Sequence, residues 1–389
     1  MKRLGSILLA AAMAAGLLAA CGKDDSATAQ VESTPAPSSA APVEEEDTYD
    51  PALLTGLEKG EDYPEGQRFV AVMVNNMSNT PYQQARPQAG LSDADVLVEI
   101  KVEGGITRFM ALYENYETMP RVGPVRSARD QFFQLILPFH PLYVHVGESI
   151  VQKEYKNNYD YDDFDLNGDV YASLGHYDSE FQARGVAKEH TYTTSGEQIA
   201  ATIESAGKEA TIRPYESTIF DFVRYDEEPR VLEGPRASSI TVQHSSTYRT
   251  YFDWDETAGK YMMSQYSNAT GTVSPSVDAN NDEQLAFDNV LVLLTDIHVY
   301  PGHEKTDLQE VMYDTVGYGY YFSGGRAEPV RWTKGAPDQV LRIVHDDAEM
   351  SNVKINPGKT YLAVVDLDEA ENFAFVDPDA AASASSQAE

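Results

Sequence analysis

Four arginines, Arg108, Arg121, Arg126 and Arg129, fall in one short stretch of a chain that otherwise carries 62 acidic and 29 basic residues. A guanidinium fork binds phosphate, pyrophosphate or carboxylate in bidentate fashion, so this local reversal of sign is a pattern an oxyanion site needs. The residues between them point the same way. Ser127 is placed as an N-cap and Asp130 follows three positions later, as in a capping box. Phe132, Phe133, Leu135 and Ile136 then give an apolar helical face that Pro138 ends. Amides at a helix start already carry positive potential, so cations there are unfavourable by about 0.3–1 kcal/mol each. An anion is therefore expected at Arg108, Arg121, Arg126, Ser127 and Arg129, with Glu103, Asp130 and His145 as groups able to carry protons. The competing expectation is an internal network in which Glu99, Glu103, Glu114 and Asp130 neutralise the arginines.

A second pattern is acidic. Asp163, Asp165, Asn167, Gly168 and Asp169 overlay a calcium loop, where alternate side-chain oxygens point at one centre around a tight turn. The twelfth position is Leu174 instead of the bidentate Glu that closes the shell, so a solvated acidic turn competes with calcium. Asp162 or Asp178 would have to supply the missing ligand. His145 alternates with Val144 and Val146 and so leaves the apolar face, as a structural histidine or a base. Asp296, His298 and His303 lack the helical spacing of a zinc motif. Gly358-Lys359-Thr360 has Val353 where a phosphate loop needs its first glycine, and Gly147-Glu148-Ser149 lacks the second glycine of a nucleophile elbow. Tyr318, Tyr320 and Tyr321 could line a groove for sugar rings, although tyrosine on strands ordinarily packs. Cys21 is the only cysteine, which leaves neither a disulfide nor a catalytic thiol, and apart from calcium no cofactor is called for.

These side chains must be held by elements legible in the pattern. Residues 68–74 are continuously apolar after Arg68, and Val96, Val98, Ile100 and Val102 share one face of a strand that reaches Gly104-Gly105, a hairpin signal. A turn is expected at Val122-Gly123-Pro124, a strand over 142–147, and helices near 149–155 and 197–210. Beyond about residue 212 the pattern is strand after strand, ending with 361–366 after Asn356-Pro357-Gly358-Lys359. The expected fold class is α+β, with an N-terminal α/β-type domain built on a mixed sheet and a strand-dominated C-terminal domain.

The stretches ARPQAGLSDADVLVE and VEGGITRFMALYENY, with RVGPVRSARDQFF, resemble the N-terminal domain of the YerB-like bacterial lipoproteins. GYGYYFSGG, RWTKG and INPGKTYLAVVD resemble that family's C-terminal domain. The resemblance spans most of residues 65–366 and implies fold and location more than activity. A family histidine that follows Ala-Pro corresponds to His190, preceded here by Lys188-Glu189.

The first twenty residues read as a lipoprotein leader: Lys2 and Arg3, an Ala/Leu run, and Leu18-Ala19-Ala20-Cys21, in which Cys21 is lipidated and becomes the N-terminus. Two acyl chains suffice for stable anchoring. Residues 21–60 are an acidic Ser/Ala/Pro tether expected to be disordered, 61–211 and 212–376 the two domains, and 377–389 a disordered tail. The formal charge of −33 excludes nucleic acid as a partner. Three readings follow: a membrane-anchored extracytoplasmic module that binds an anionic envelope polymer or a protein partner, an enzyme acting on phosphorylated or lipid-linked wall polymers, or a structural lipoprotein.

Overall fold

Val70–Asn75 (β1) is apolar along nearly its whole length, a composition that suits a strand covered on both faces. The computed structural model describes residues 49–166, 174–212 and 218–379, and β1 lies inside its largest sheet. The N-terminal strands are β2 (Val96–Lys101), β3 (Thr107–Tyr113), β4 (Leu142–His145) and β5 (Phe164–Asp165), with a short pair β6 (His176–Tyr177) and β7 (Tyr192–Thr193). The helices are α1 (Asp130–Ile136), α2 (Ile150–Asn158), α3 (Ser179–Ala183) and α4 (Gly196–Ala206). After them come β8 (Ser239–Gln243), β9 (Arg249–Asp255), β10 (Lys260–Ser267), β11 (Thr272–Pro275), β12 (Ala286–Phe287), β13 (Asn289–Thr295), β14 (Ile297–Val299) and β15 (Gln309–Val311). The last are β16 (Val316–Ser323), β17 (Arg326–Thr333), β18 (Arg342–Val344), β19 (Thr360–Asp366) and β20 (Ala374–Val376).

The large sheet runs β18-β17-β16-β13-β19-β2-β3-β1-β4-β5. Its centre is the join between the two ends of the chain: Leu362 of β19 stands opposite Leu291 of β13 on one side and Val98 of β2 on the other, both parallel. The sheet is therefore continuous across residue 212, and the residues from Tyr49 on cluster as one compact unit. The alternation of side chains splits the core in two. Met73, Val98, Met110 and Leu362 face Phe132, Phe133 and Ile136 of α1. Val72, Leu97, Phe109 and Ala363 face Ile240, Phe252 and Tyr261 of the second sheet, which is ordered β11-β10-β9-β8-β20. Each fully buried large side chain contributes about 1.5–3 kcal/mol, so both layers hold the central strands in place.

Several local signals give the elements they predict. Gly104 and Gly105 turn β2 into β3 with φ of 68° and 66°. Ser149 caps α2 by accepting from the Gln152 amide, and Ser195 caps α4 by accepting from that of Gln198. The expected cap at Ser127 is not formed. The helix α1 starts at Asp130 with Arg129 in the cap position and no side-chain cap. The reason is upstream: the Arg126 amide donates to the Met73 carbonyl and the Ala128 amide to that of Gly147, which holds 126–128 extended. Val122–Pro124 is likewise extended, bridged to Thr194 and Ala89, where a turn was expected.

Candidate anion-binding site

Three of the four arginines come together at the end of the β2–β3 hairpin. Arg108 projects from β3, opposite Asn75 and Ile100, and is only 5% exposed. Its Nη1 donates to the Ser127 carbonyl at 2.6 Å, and Nη2 lies 3.8 Å from Glu103 Oε2. Arg129 donates from Nε to Glu103 Oε1, and from Nη1 to the Ala128 carbonyl at 2.7 Å. Arg126 makes one long bond, 3.4 Å to the Glu189 carbonyl, and among the described residues no carboxylate pairs with it. Arg108 and Arg129 thus share one carboxylate, and Arg126 stands outside any ion pair among the described residues, with the Glu189 charge acting on it from a distance. Burial, with Arg129 next in importance and Arg126 adding to it, pushes the Arg108 guanidinium down to about 9, which is still cationic at neutral pH. Burial also lowers Arg126. An open cleft of about 430 Å³ adjoins Arg129 and Glu103, walled by Ser149, Ile150, His303 and Leu308.

Arg121 is elsewhere. Its Nη1 lies 3.2 Å from Asp178 and 2.7 Å from Glu180, and its guanidinium stacks on Phe181. The four residues between it and Arg126 run extended, and five steps of about 3.3 Å carry it roughly 16 Å away. Ser127 contributes its carbonyl to Arg108 instead of capping a helix. The internal network expected as an alternative is realised only at Glu103. Glu99 and Glu114 are engaged elsewhere, and Asp130 accepts from the Tyr300 hydroxyl at 2.6 Å with burial raising its carboxyl to about 6.

His145 does not open to a ligand. It is fully buried, with Nδ1 3.0 Å from the Gly147 carbonyl and Nε2 2.9 Å from Asp163 Oδ2. One donor atom each from His145, Glu148 and Asp163 lies within 4.8 Å of the others, the spacing of a metal site. Lys156 Nζ pairs with two of the three, 2.9 Å from Glu148 and 2.8 Å from Asp163. The first calcium-loop residue is thereby committed to His145 and Lys156, and Asp165 accepts from the Gly147 amide at 2.7 Å. Asn167 and Asp169 lie outside the described residues, as does Cys21. Asp296 and His298 pair with each other, and His298 with Glu310. Tyr320 packs against Phe373 and Tyr321 is fully buried, so the three tyrosines form no continuous platform.

One residue of the cluster is not apparent from spacing. The Met77 amide donates to Asn75 Oδ1, which turns Asn75 Nδ2 toward His190 Nδ1 at 2.6 Å. With Nδ1 accepting, the proton sits on Nε2, and that N–H is buried without a partner. Burial first, and then the charge of Arg126, lower the His190 pKa and keep the ring neutral. A neutral donor therefore stands beside the least-paired arginine. The only signal in the chain is the position of His190 within EHTYTTS, sixty residues beyond the arginines.

A buried ten-stranded mixed sheet, a second antiparallel sheet on one face and an arginine cluster at a hairpin end define an α+β protein with a polar site. Residues 54–209 match the N-terminal domain, and 240–362 the C-terminal domain, of the family described as "Protein of unknown function (DUF3048)". The chain belongs to this YerB-like family. It is 28% identical over 332 residues to "Putative lipoprotein YerB" of Bacillus subtilis strain 168, covering 82% of this chain and 87% of the relative. The crystal structure of YerB from Bacillus subtilis superposes with a TM-score of 0.65 at 26% identity, over 82% of this chain and 97% of that one.

Proposed function

We propose that this is a lipid-anchored extracytoplasmic protein that binds a phosphate-bearing envelope ligand at Arg108, Arg126 and Arg129, with His190 as an added donor. The single observation that carries the reading is the excess of guanidinium groups at the hairpin end, where Arg108 and Arg129 share Glu103 and Arg126 has no ion-pair partner among the described residues. In a chain of formal charge −33 such an excess is not a consequence of composition. A phosphoryl group suits it because its oxygens take several converging N–H donors at once. Anchoring rests on Cys21 in its leader context and on the name of the Bacillus relative. Among the described residues no helix is long and apolar enough to cross a membrane.

Calorimetric titration of the purified protein with inorganic pyrophosphate tests this. Saturable binding is expected, weakened about tenfold, ~1.4 kcal/mol, by Arg126→Ala. Arg121→Ala should leave it unchanged. Absence of saturable heat with the wild-type protein overturns the reading.

A further inference from the structure

A second cavity, of about 210 Å³, opens between the segment 84–88 and the β10–β11 edge. Its charged group is Arg86, which donates from Nε to Asn76 Oδ1 at 2.8 Å, from Nη1 to the Tyr266 carbonyl at 2.7 Å and from Nη2 to the Asn76 carbonyl at 3.2 Å. A guanidinium has five N–H donors, so these bonds leave some unused. Asn76 Nδ2 in turn donates to Glu99 Oε1 at 3.0 Å. The charge on Arg86 is thus balanced by a buried carboxylate one side chain away.

Gln265 and Ser276 supply the other polar atoms. Thr250 donates its hydroxyl proton to Glu99 Oε2 at 2.8 Å and accepts from Gln265 Nε2 at 3.1 Å. That chain of donors fixes the orientation of the amide, because Thr250 has no second proton to give. Gln265 Oε1 is then a buried acceptor with no donor, on a residue only 3% exposed, and Ser276 Oγ is buried without a partner as well. Both residues line the cavity, as do Pro87 and Pro275.

These groups ask for one kind of guest. Gln265 Oε1 needs an N–H or O–H, Arg86 needs an oxygen acceptor, and the prolines offer apolar walls. A carboxylate or phosphate would meet the lone pairs of Gln265 and a cation already neutralised by Glu99. We propose that this cavity binds a neutral acetamido group, its N–H donating to Gln265 Oε1, its carbonyl accepting from Arg86, and its methyl lying against Pro87 and Pro275. The shared chemistry could reside on an N-acetylated amino sugar or an N-acetylated amino acid.

Saturation-transfer NMR and calorimetry of the full chain decide the matter, with N-acetylglucosamine, glucose and N-acetylalanine methylamide as probes. A millimolar dissociation constant is expected for at least one acetamido probe, on the order of what so small a ligand can reach, and none for glucose. Gln265→Met keeps the volume and removes the acceptor, and should weaken binding about tenfold. Ser276→Ala, whose hydroxyl bonds nothing, provides a second variant that leaves the fold intact and should weaken binding less. Response to one probe alone assigns the source; response to both assigns the acetamido group itself. No acetamido binding, or binding unchanged by both variants, overturns the proposal and leaves the cavity to water.

Discussion

Tyr361 holds its hydroxyl 2.6 Å from the carboxylate of Glu99, joining β19 near the end of the chain to β2 near its beginning. Glu99 is fully buried and accepts also from Asn76, Thr107 and Thr250. Burial pushes its carboxyl upward, but His244 and these donors outweigh that and hold it at about 2. Because the folded value lies below the unfolded one near 4.5, this stabilisation is present above pH 4.5 and is lost as pH falls toward 2. Tyr361→Phe should cost about 1.5–3 kcal/mol in urea unfolding at neutral pH, as expected for a hydrogen bond to a charged acceptor. The difference between variant and wild type should shrink as the carboxylate is protonated. An equal cost at all pH values would mean that packing, not the carboxylate, carries the effect.

Among the described residues Glu103 is the one carboxylate in an ion pair with Arg108 and Arg129, and its removal tests whether the cluster seeks an anion. Glu103→Gln leaves a nearly inaccessible Arg108 uncompensated and should destabilise the protein by about 3 kcal/mol. Pyrophosphate or sulfate should then raise the melting temperature of the variant more than that of the wild type, since an added anion binds the folded state alone. A thermal shift equal in both proteins would show that the guanidinium groups are closed to solutes.

Glu114 predicts a pH dependence of the opposite sign to that of Glu99. Burial, and then the neighbouring Asp95, raise its carboxyl to about 7, while its Oε1 accepts from the Leu54 amide and the Tyr63 hydroxyl. A folded value above the unfolded 4.5 means that folding takes up a proton, so stability falls as pH rises from 4.5 to 7. Glu114→Gln keeps the acceptor and removes the ionisation. It should gain about 1–2 kcal/mol at about pH 8 and flatten the slope across the acid range. A pH profile identical to that of the wild type would place the proton uptake elsewhere.

The signals that reached the fold intact are those whose physics is local. Gly104-Gly105 needs only positive φ, and the helices expected near 149–155 and 197–210 start at serines that need only an amide three residues on. What did not show was set by distant partners. Nothing in Thr360–Asp366 says that it enters between β13 and β2, because an apolar strand fits any buried slot equally well. Ser127 has the composition of a cap, yet Met73 and Gly147 claim the neighbouring amides first. Spacing alone grouped Arg121 with Arg126, and only the extended backbone between them separates the two. His190 entered the site through Asn75, a residue that looks like the mere end of a strand.

Lys156 provides the sharpest test of how the acidic pattern is used. Its ammonium pairs with Glu148 and Asp163, two members of a donor set that His145 completes, so the protein supplies its own cation to metal-like ligands. One imidazole and two carboxylates are a set that zinc and manganese accept. Lys156→Met preserves the stem and removes the charge, leaving Glu148 without its ion-pair partner and Asp163 with His145 alone, at a cost of about 3 kcal/mol. Zinc should restore the melting temperature of the variant, a chelator should reverse the rescue, and the wild type should respond to neither. The imidazole has to give up its bond to Asp163 for this to happen, which favours a tight-binding ion over calcium. If zinc leaves the variant unstabilised, the donor atoms do not converge, and the ammonium is an ordinary ion-pair partner instead of a substitute for a metal.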